Sequence, residues 1–146
     1  MYIRKQIRDK IKSMLETSTL VQGRVFYDYL NSIPEAKMPC IVVSTGNETI
    51  TRISLGSPAI NESVLEVSVV GVIIPKSTYQ DTLDALALNI HTILNNDIKL
   101  GGLVRSALIT NISQEIDDDR DTPIAYVTFT IQITYRTVDN NLIQTV

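Results

Sequence analysis

The stretch that most constrains the fold is Ile124 to Arg136, where apolar and polar residues alternate over thirteen positions. A period of two in β-branched and aromatic residues predicts a β-strand with one face in a core and the other facing solvent or a partner. The apolar side carries Ala125, Val127, Phe129, Ile131, Ile133 and Tyr135. The other side carries Tyr126, Thr128, Thr130, Gln132, Thr134 and Arg136.

The chain of 146 residues has the size of one domain. A chain of this length can bury an aliphatic core without metal or disulfide support. We predict a single domain over residues 1–136 and a polar C-terminal tail over residues 137–146. The single Cys40 excludes an intramolecular disulfide and is expected to be a buried structural residue. Apolar runs are too short to span a bilayer, so we expect no membrane partner.

The remaining periodicity predicts two helices and further strands. Ile3, Ile7 and Ile11 recur at helical spacing, which predicts a helix over residues 1–16. A second helix is predicted over residues 77–94, opened by a capping box of Ser77 and Gln80. Strands are predicted over residues 24–30, 38–45, 62–74 and 103–114. The weakly patterned residues 46–61 are predicted to form a projecting loop or arm, with room for a short strand at 49–54.

Two details of the strand at residues 62–74 carry further expectations. Its second half is apolar on both sides, so that end of the sheet is expected to be covered on both faces. Gly71 lies inside this strand and predicts a bulge or close packing against a neighbouring element.

Charge is concentrated in two places. Residues 1–12 hold five basic residues and one acidic residue, whereas residues 115–121 hold five acidic residues and one basic residue. Arg4, Arg8 and Lys12 form a row on the predicted outer side of the first helix. This row is interpreted either as a solvated helix face or as a contact for an acidic partner. Specific DNA binding is not favoured, because no aromatic residues interleave and no nucleic-acid motif follows.

The acidic stretch resembles the first half of a calcium loop without completing it. Asp117, Asp119 and Asp121 lie at alternate positions, but Thr122 stands where the loop needs Gly and Thr128 where it needs a bidentate Glu. We therefore expect no metal site. The stretch is interpreted as a solvated hairpin tip that protects a strand edge from pairing.

No catalytic motif is present in the sequence. There is no nucleophile elbow, no H-E-x-x-H, no phosphate loop and no pair of cysteines, and His91 is the single histidine. We expect no enzymatic activity and no cofactor.

The order of elements resembles the tail terminator proteins of long-tailed bacteriophages and prophages, also called tail completion or minor tail proteins. The resemblance lies in the basic first helix, the strand with Val25-Phe26, the strand at residues 39–43, the long strand, the central helix, the acidic hairpin and the final strand closing with Tyr135-Arg136. It implies an α+β fold, with a mainly antiparallel sheet and two main helices packed on one face. It also implies that no catalytic residues are to be sought.

The function implied by this resemblance is structural. Such proteins assemble as a homohexameric ring that caps the tail tube, ends its polymerisation and provides the head-tail joining surface. The implied partners are other copies of the chain, the tail tube protein and a head-completion or neck protein, while DNA passes through the lumen without specific binding. The protein would be assembled in the host cytoplasm and reside in the virion tail. Alternatives are another neck, connector or baseplate protein, or a small-ligand-binding α+β domain.

The candidate functional residues are therefore surface residues. A head-to-tail ring sets two different patches of each subunit against each other. The basic helix and the acidic turn form one such candidate pair, and the acidic turn lining the lumen is an equally good placement. The candidates for a partner, subunit or lumen surface are Arg4, Arg8, Lys12, Asp117, Asp118, Asp119, Asp121, Thr128, Thr130 and Gln132.

Overall fold

The computed structural model describes residues 2–27, 33–56, 58–119, 122–138 and 145. Within these ranges the chain forms two α-helices and five β-strands, and the predicted α+β class is confirmed. In chain order they are α1 (Ile3–Leu15), β1 (Val25–Phe26), β2 (Cys40–Arg52), β3 (Ile60–Ile73), α2 (Tyr79–Asn95), β4 (Ser106–Asp117) and β5 (Ile124–Val138). Single 3-10 turns occur at Glu35–Lys37 and Leu100–Gly102.

The strands form one sheet in the order β1-β2-β3-β5-β4. β1 is parallel to β2, and the other pairings are antiparallel. The register sets Leu65 opposite Ile133 and Val69 opposite Phe129, so the inward residues of the two central strands lie side by side. The strand order leaves the short β1 at one edge of the sheet and β4 at the other.

Both helices pack on the same face of the sheet, as the resemblance implied. Their apolar residues recur at helical spacing and contact the inward side of β5, whose alternation is confirmed by burial. Full burial of one such aliphatic side chain contributes about 1.5–3 kcal/mol. The helix residues that enter this main core are Ile3, Ile7, Ile11 and Leu15 of α1 and Leu83, Leu86, Ile90 and Leu94 of α2.

Gly71 allows α2 to approach the sheet. A Cβ atom at this position would lie 2.8 Å from Leu86 Cδ2 and 3.0 Å from Ile90 Cδ1. Side chains do not tolerate contacts this short without a shift of their neighbours. The predicted close packing at Gly71 is confirmed.

Within the described ranges, the opposite face of the sheet is covered at one end. Cys40, Val42, Val72 and Ile124 form a second small core there, closed by Ile33 and Met38 from the segment that precedes β2. The expected covering of both faces at the end of β3 is confirmed. Burial raises the pKa of the Cys40 thiol to about 11, and the residue is buried as expected.

The prediction for residues 46–61 is confirmed in part. The short strand allowed at 49–54 is present as far as Arg52, but it is the end of β2, which pairs with β3 as far as Asn61. The segment is therefore the distal half of a hairpin rather than a separate loop. A register shift between Thr45 and Glu48 interrupts the pairing. Because such a bulge breaks the two-residue alternation, the sequence pattern divides one strand into two pieces.

Several predicted boundaries also change. α2 begins after Thr78, whose side chain makes no capping bond, so the predicted capping box is wrong. β4 begins at Ser106 rather than 103, because the backbone turns through Leu100–Gly102 first. β5 continues to Val138, two residues beyond Arg136, where the strand was predicted to end. Of the strand predicted at 24–30, Val25–Phe26 is present and residues 28–30 lie outside the described ranges.

Candidate assembly surfaces

The face of β5 that points away from the helices is open and polar. Thr128 and Thr130 are half-buried and Gln132 is exposed, as the alternation predicted. The register places Ser113 beside Thr128, Asn111 beside Thr130 and Leu108 beside Gln132 on β4. On the other side of β5, the corresponding β3 residues are Val70, Ser68 and Glu66.

The middle of this open face carries little charge. Glu66 is exposed on it. Towards one end the Arg136 Nε donates to Glu62 Oε2 at 3.0 Å, and towards the other end the Tyr126 hydroxyl donates to Glu115 Oε2 at 2.7 Å. Hydroxyl and amide groups supply most of the remaining polar atoms. The middle of the sheet therefore presents a nearly flat wall with weak attraction for ions of either sign. We call this wall, centred on Thr128, Thr130 and Gln132, the open sheet face.

The predicted basic row of α1 contacts its own chain. The Arg4 guanidinium donates to the Gly46 carbonyl at the bulge of β2. The Arg8 guanidinium lies over the Tyr27 ring, 5.0 Å from its centroid, and the Lys12 ammonium lies 5.7 Å from it. The row is therefore half-buried against β1 and β2 rather than fully solvated.

Tyr27 is held in place by a second contact. Its hydroxyl donates to Asp9 Oδ1 at 2.6 Å, and Lys5 Nζ lies 2.8 Å from Asp9 Oδ2. The hydrogen bond from Lys5, followed by that from Tyr27, lowers the pKa of Asp9. Burial, followed by the Asp9 carboxylate, raises the pKa of Tyr27. The contacts among Lys5, Arg8, Asp9 and Tyr27 therefore pair much of the charge on this side of α1 within the subunit.

The predicted acidic residues lie at the opposite edge of the sheet. Asp117 is the last residue of β4, and its Oδ1 accepts the Asp119 N–H at 3.1 Å. Asp118 is exposed, and Asp121 lies outside the described residues. Over the described ranges, no group of three or more His, Cys, Asp or Glu side chains is placed to hold a metal ion.

The structure does not bring the basic row and the acidic turn together. α1 packs on the side of the sheet that contains β1 and β2, whereas the turn joins β4 and β5. We call the first side, with α1 and the connector 16–24, the basic edge. We call the second side, with α2 and β4, the acidic edge. Their separation is decided by strand order, which the sequence pattern did not predict.

Sequence reasoning missed four exposed aliphatic side chains on the acidic edge. Leu88 is 69% exposed on α2, and Ile112 and Ile116 are 46% and 42% exposed on the side of β4 that faces α2. Leu108 is 53% exposed on the other side of β4, on the open sheet face. Gln114, between the two isoleucines, donates to Asp84 Oδ1 of α2 at 2.8 Å. The side-chain pattern of β4 resembles that of a buried strand, so only its edge position reveals that these residues are open.

The hairpin formed by residues 46–61 is a second region with exposed aliphatic residues. Ile50, Ile53 and Leu55 are exposed, and both faces of β2 are open from Thr49 to Arg52. Tyr135 donates its hydroxyl to Glu48 where the main core ends. Burial, followed by Glu48, raises the pKa of Tyr135.

Two features bear on small-molecule chemistry. An open cavity of about 350 Å³ is lined largely by apolar atoms of Met38, Pro39, Ile73 and Tyr79, with Lys76 at its border. His91 is exposed on α2, and the Asn95 amide nitrogen lies 3.0 Å from its Nδ1. Cys40 and His91 do not form a nucleophile–base pair, because the thiol is buried and the imidazole faces solvent.

The chain matches no known family model and no curated protein. Among solved structures, it is similar to a chain in the virion of a native gene transfer agent particle. The two sequences are 15% identical, the match covers 88% of this chain and 94% of that chain, and the TM-score is 0.43. The likeness to a virion component is therefore coarse. Neither helix of the described residues is long and apolar enough to cross a bilayer.

Proposed function

We propose that this protein is a structural virion protein, a tail terminator that caps the tail tube as a ring of identical subunits. The observation that carries the proposal is the placement of opposite charge at opposite edges of one sheet. A head-to-tail ring requires two different, complementary surfaces on each subunit. The basic edge and the acidic edge meet this requirement without any further component.

The open sheet face fits the wall of a DNA channel. DNA carries one negative charge for about every 1.7 Å of its axis, and proteins bind it largely through Lys and Arg contacts to phosphate. A wall of Thr128, Thr130 and Gln132, with Glu66 beside them, offers no such contacts. DNA could therefore pass along it without being held. In this proposal the acidic turn belongs to the subunit interface, and the open sheet face borders the lumen.

The role is proposed to be non-enzymatic. The ring would end polymerisation of the tube by covering its last layer of subunits and would offer its other side to a head-completion or neck protein. A neck connector or baseplate protein with the same ring geometry is the alternative. These roles differ in what the ring binds. Binding of the ring to the end of the tail tube therefore distinguishes a terminator from the alternatives.

The experiment is co-expression of this chain with its cognate tail tube protein, followed by electron microscopy. A terminator shortens the tubes and leaves a ring at one end, because capping stops subunit addition. Tube protein expressed alone is the matched control and should give longer tubes of variable length. Rings that never associate with tube ends would overturn the terminator role in favour of the connector or baseplate alternative.

A further inference from the structure

We propose that the acidic edge is the receiving half of the subunit interface and that its occupant is the basic edge of a second copy of this chain. The inference rests on the ring proposed above and assigns the surfaces that build it. The centre of the receiving surface is the strip formed by Leu88, Ile112 and Ile116.

The three strip residues lie together because α2 runs antiparallel to β4. Tyr79 and Gln80, at the start of α2, line the same groove as Ile116 near the end of β4. One turn later, Asp84 accepts the hydrogen bond from Gln114. Leu88 lies one further turn along α2 from Asp84, and Ile112 lies two residues along β4 from Gln114, on the same side of the strand. The strip therefore follows the junction of helix and strand.

An uncovered strip at this position is unusual for a soluble subunit that works alone. β4 is the edge strand, so one side of its backbone has no strand partner within the described chain. Exposed edges with large aliphatic residues pair with other chains unless something covers them. An occupant is needed that supplies apolar surface at the centre and positive charge at the rim.

The charge around the strip identifies that occupant. Asp81 and Asp84 lie beside the strip on α2, and Glu115 and Asp117 lie on the other face of the same edge strand. Neither α2 nor β4 contains Lys or Arg. Asp84 and Glu115 accept hydrogen bonds from uncharged groups, Gln114 and Tyr126. A partner surface rich in Lys and Arg would therefore be attracted to this rim.

The basic edge of the same chain has the matching properties. α1 contains five basic residues and one acidic residue. Its ion pairs, Lys5–Asp9 and Lys12–Glu16, are exposed and leave an excess of positive charge. Tyr2, Leu20 and Tyr27 are exposed on this side and supply apolar surface. The two edges are thus complementary in both charge and apolar content.

The charge pattern also selects head-to-tail association over a two-fold dimer. If two acidic edges met across a two-fold axis, carboxylates of both copies would face each other. Like charges placed together at an interface oppose binding strongly. Acidic edge against basic edge avoids this repulsion and leaves one free edge of each kind for the next subunit, which allows a ring to close.

A charge-exchange experiment tests the assignment. The acid-reversed variant carries Asp84→Lys and Glu115→Lys, and the base-reversed variant carries Lys5→Glu and Lys12→Glu. Each alone should assemble at least about tenfold more weakly than the wild type, because every interface then sets like charges together. Mixed in equal amounts, they should recover assembly with alternating subunits, because both kinds of interface are again oppositely charged.

If a reversed variant does not fold, the neutral variants Asp84→Asn/Glu115→Gln and Lys5→Gln/Lys12→Gln are used instead. Each should assemble more weakly than the wild type, without recovery on mixing. Masses are measured by native mass spectrometry. Full assembly of each reversed variant alone, or no recovery in their mixture, would overturn the assigned faces while leaving the ring intact. A wild-type chain that stays monomeric, alone and with tube protein present, would overturn the ring as well.

Discussion

The two edges of the sheet carry opposite charge, and they differ in how much of it the subunit itself uses. At the basic edge, Arg4 reaches a β2 carbonyl and Arg8 lies over Tyr27. At the acidic edge, Asp84 and Glu115 contact uncharged groups, and four aliphatic side chains stay open. The difference teaches that the fold fixes the basic edge in a defined shape, whereas the acidic edge leaves charged and aliphatic side chains exposed, as the proposed subunit contact requires.

The largest expected effect comes from the centre of the apolar strip. Ile112→Arg should weaken assembly at least about tenfold, because a buried unpaired cation would replace an apolar contact. The monomer should lose little stability, since Ile112 is already 46% exposed. Sedimentation velocity gives the assembly constant. The matched control is Ile50→Arg on the 46–61 hairpin, which should assemble like the wild type. If both variants lost assembly equally, the acidic edge would not differ from the hairpin in its role in assembly.

The next largest effect should come from the contact that positions α2. Gly71→Ala should lower the free energy of unfolding by about 1–3 kcal/mol, because the added methyl group overpacks Leu86 and Ile90. In the double variant with Leu86→Ala, the new methyl group enters vacated space, so the combined loss should be smaller than the sum. Urea unfolding measures both. Additive losses would show that Gly71 does not hold α2, and with it the acidic edge, in place.

A smaller effect is expected at the basic edge. Arg8→Met should lower stability by about 0.5–1 kcal/mol, because the cation over the Tyr27 ring is lost. Lys5→Met should cost less, since its ion pair with Asp9 is exposed. Thermal unfolding measures the stability of both variants. Adding Tyr27→Leu, alone and combined with Arg8→Met, completes a double-mutant cycle that gives the coupling energy between Arg8 and Tyr27. Absence of coupling would mean that the charge of Arg8 remains available to a partner.

The smallest effect at neutral pH concerns Cys40. Because burial raises its pKa from the ordinary 9.0 to about 11, the folded state favours the neutral thiol. That preference is fully present below pH 9 and is lost as the pH rises through about 11. The thiol should therefore react slowly with aromatic disulfide reagents at pH 8, and Cys40→Ala should remove part of the alkaline loss of stability. Fast labelling of the native protein would place Cys40 outside the second core.

Much of the fold could be predicted from side-chain periodicity. The alternation from Ile124 to Arg136 identified both faces of β5, and Ile3, Ile7 and Ile11 identified the buried side of α1. The hairpin at 46–61 could not be predicted, because the bulge after Thr45 interrupts the pattern that marks a strand. Local pattern is informative only where pairing is regular.

The candidate surfaces could not be predicted from local sequence patterns, because they depend on the order of the strands in the sheet. Ile112 and Ile116 have the spacing of core residues, and only the strand order places them at an open edge. The row of Arg4, Arg8 and Lys12 was predicted correctly as a row on one side of a helix, but its contact with Tyr27 depends on the position of β1. Both differences arise from tertiary arrangement, which brings together residues far apart in the chain.

The most direct test of the central claim, that this subunit associates head to tail into a closed ring, is the mass of the assembled wild-type particle. For a subunit of 16.3 kDa, native mass spectrometry should give a discrete species about six times that mass, at a concentration where Ile112→Arg is mainly monomeric. A wild-type protein that gives only monomer, alone and with tube protein present, would contradict the claim. So would a two-fold dimer that persists in the Ile112→Arg variant.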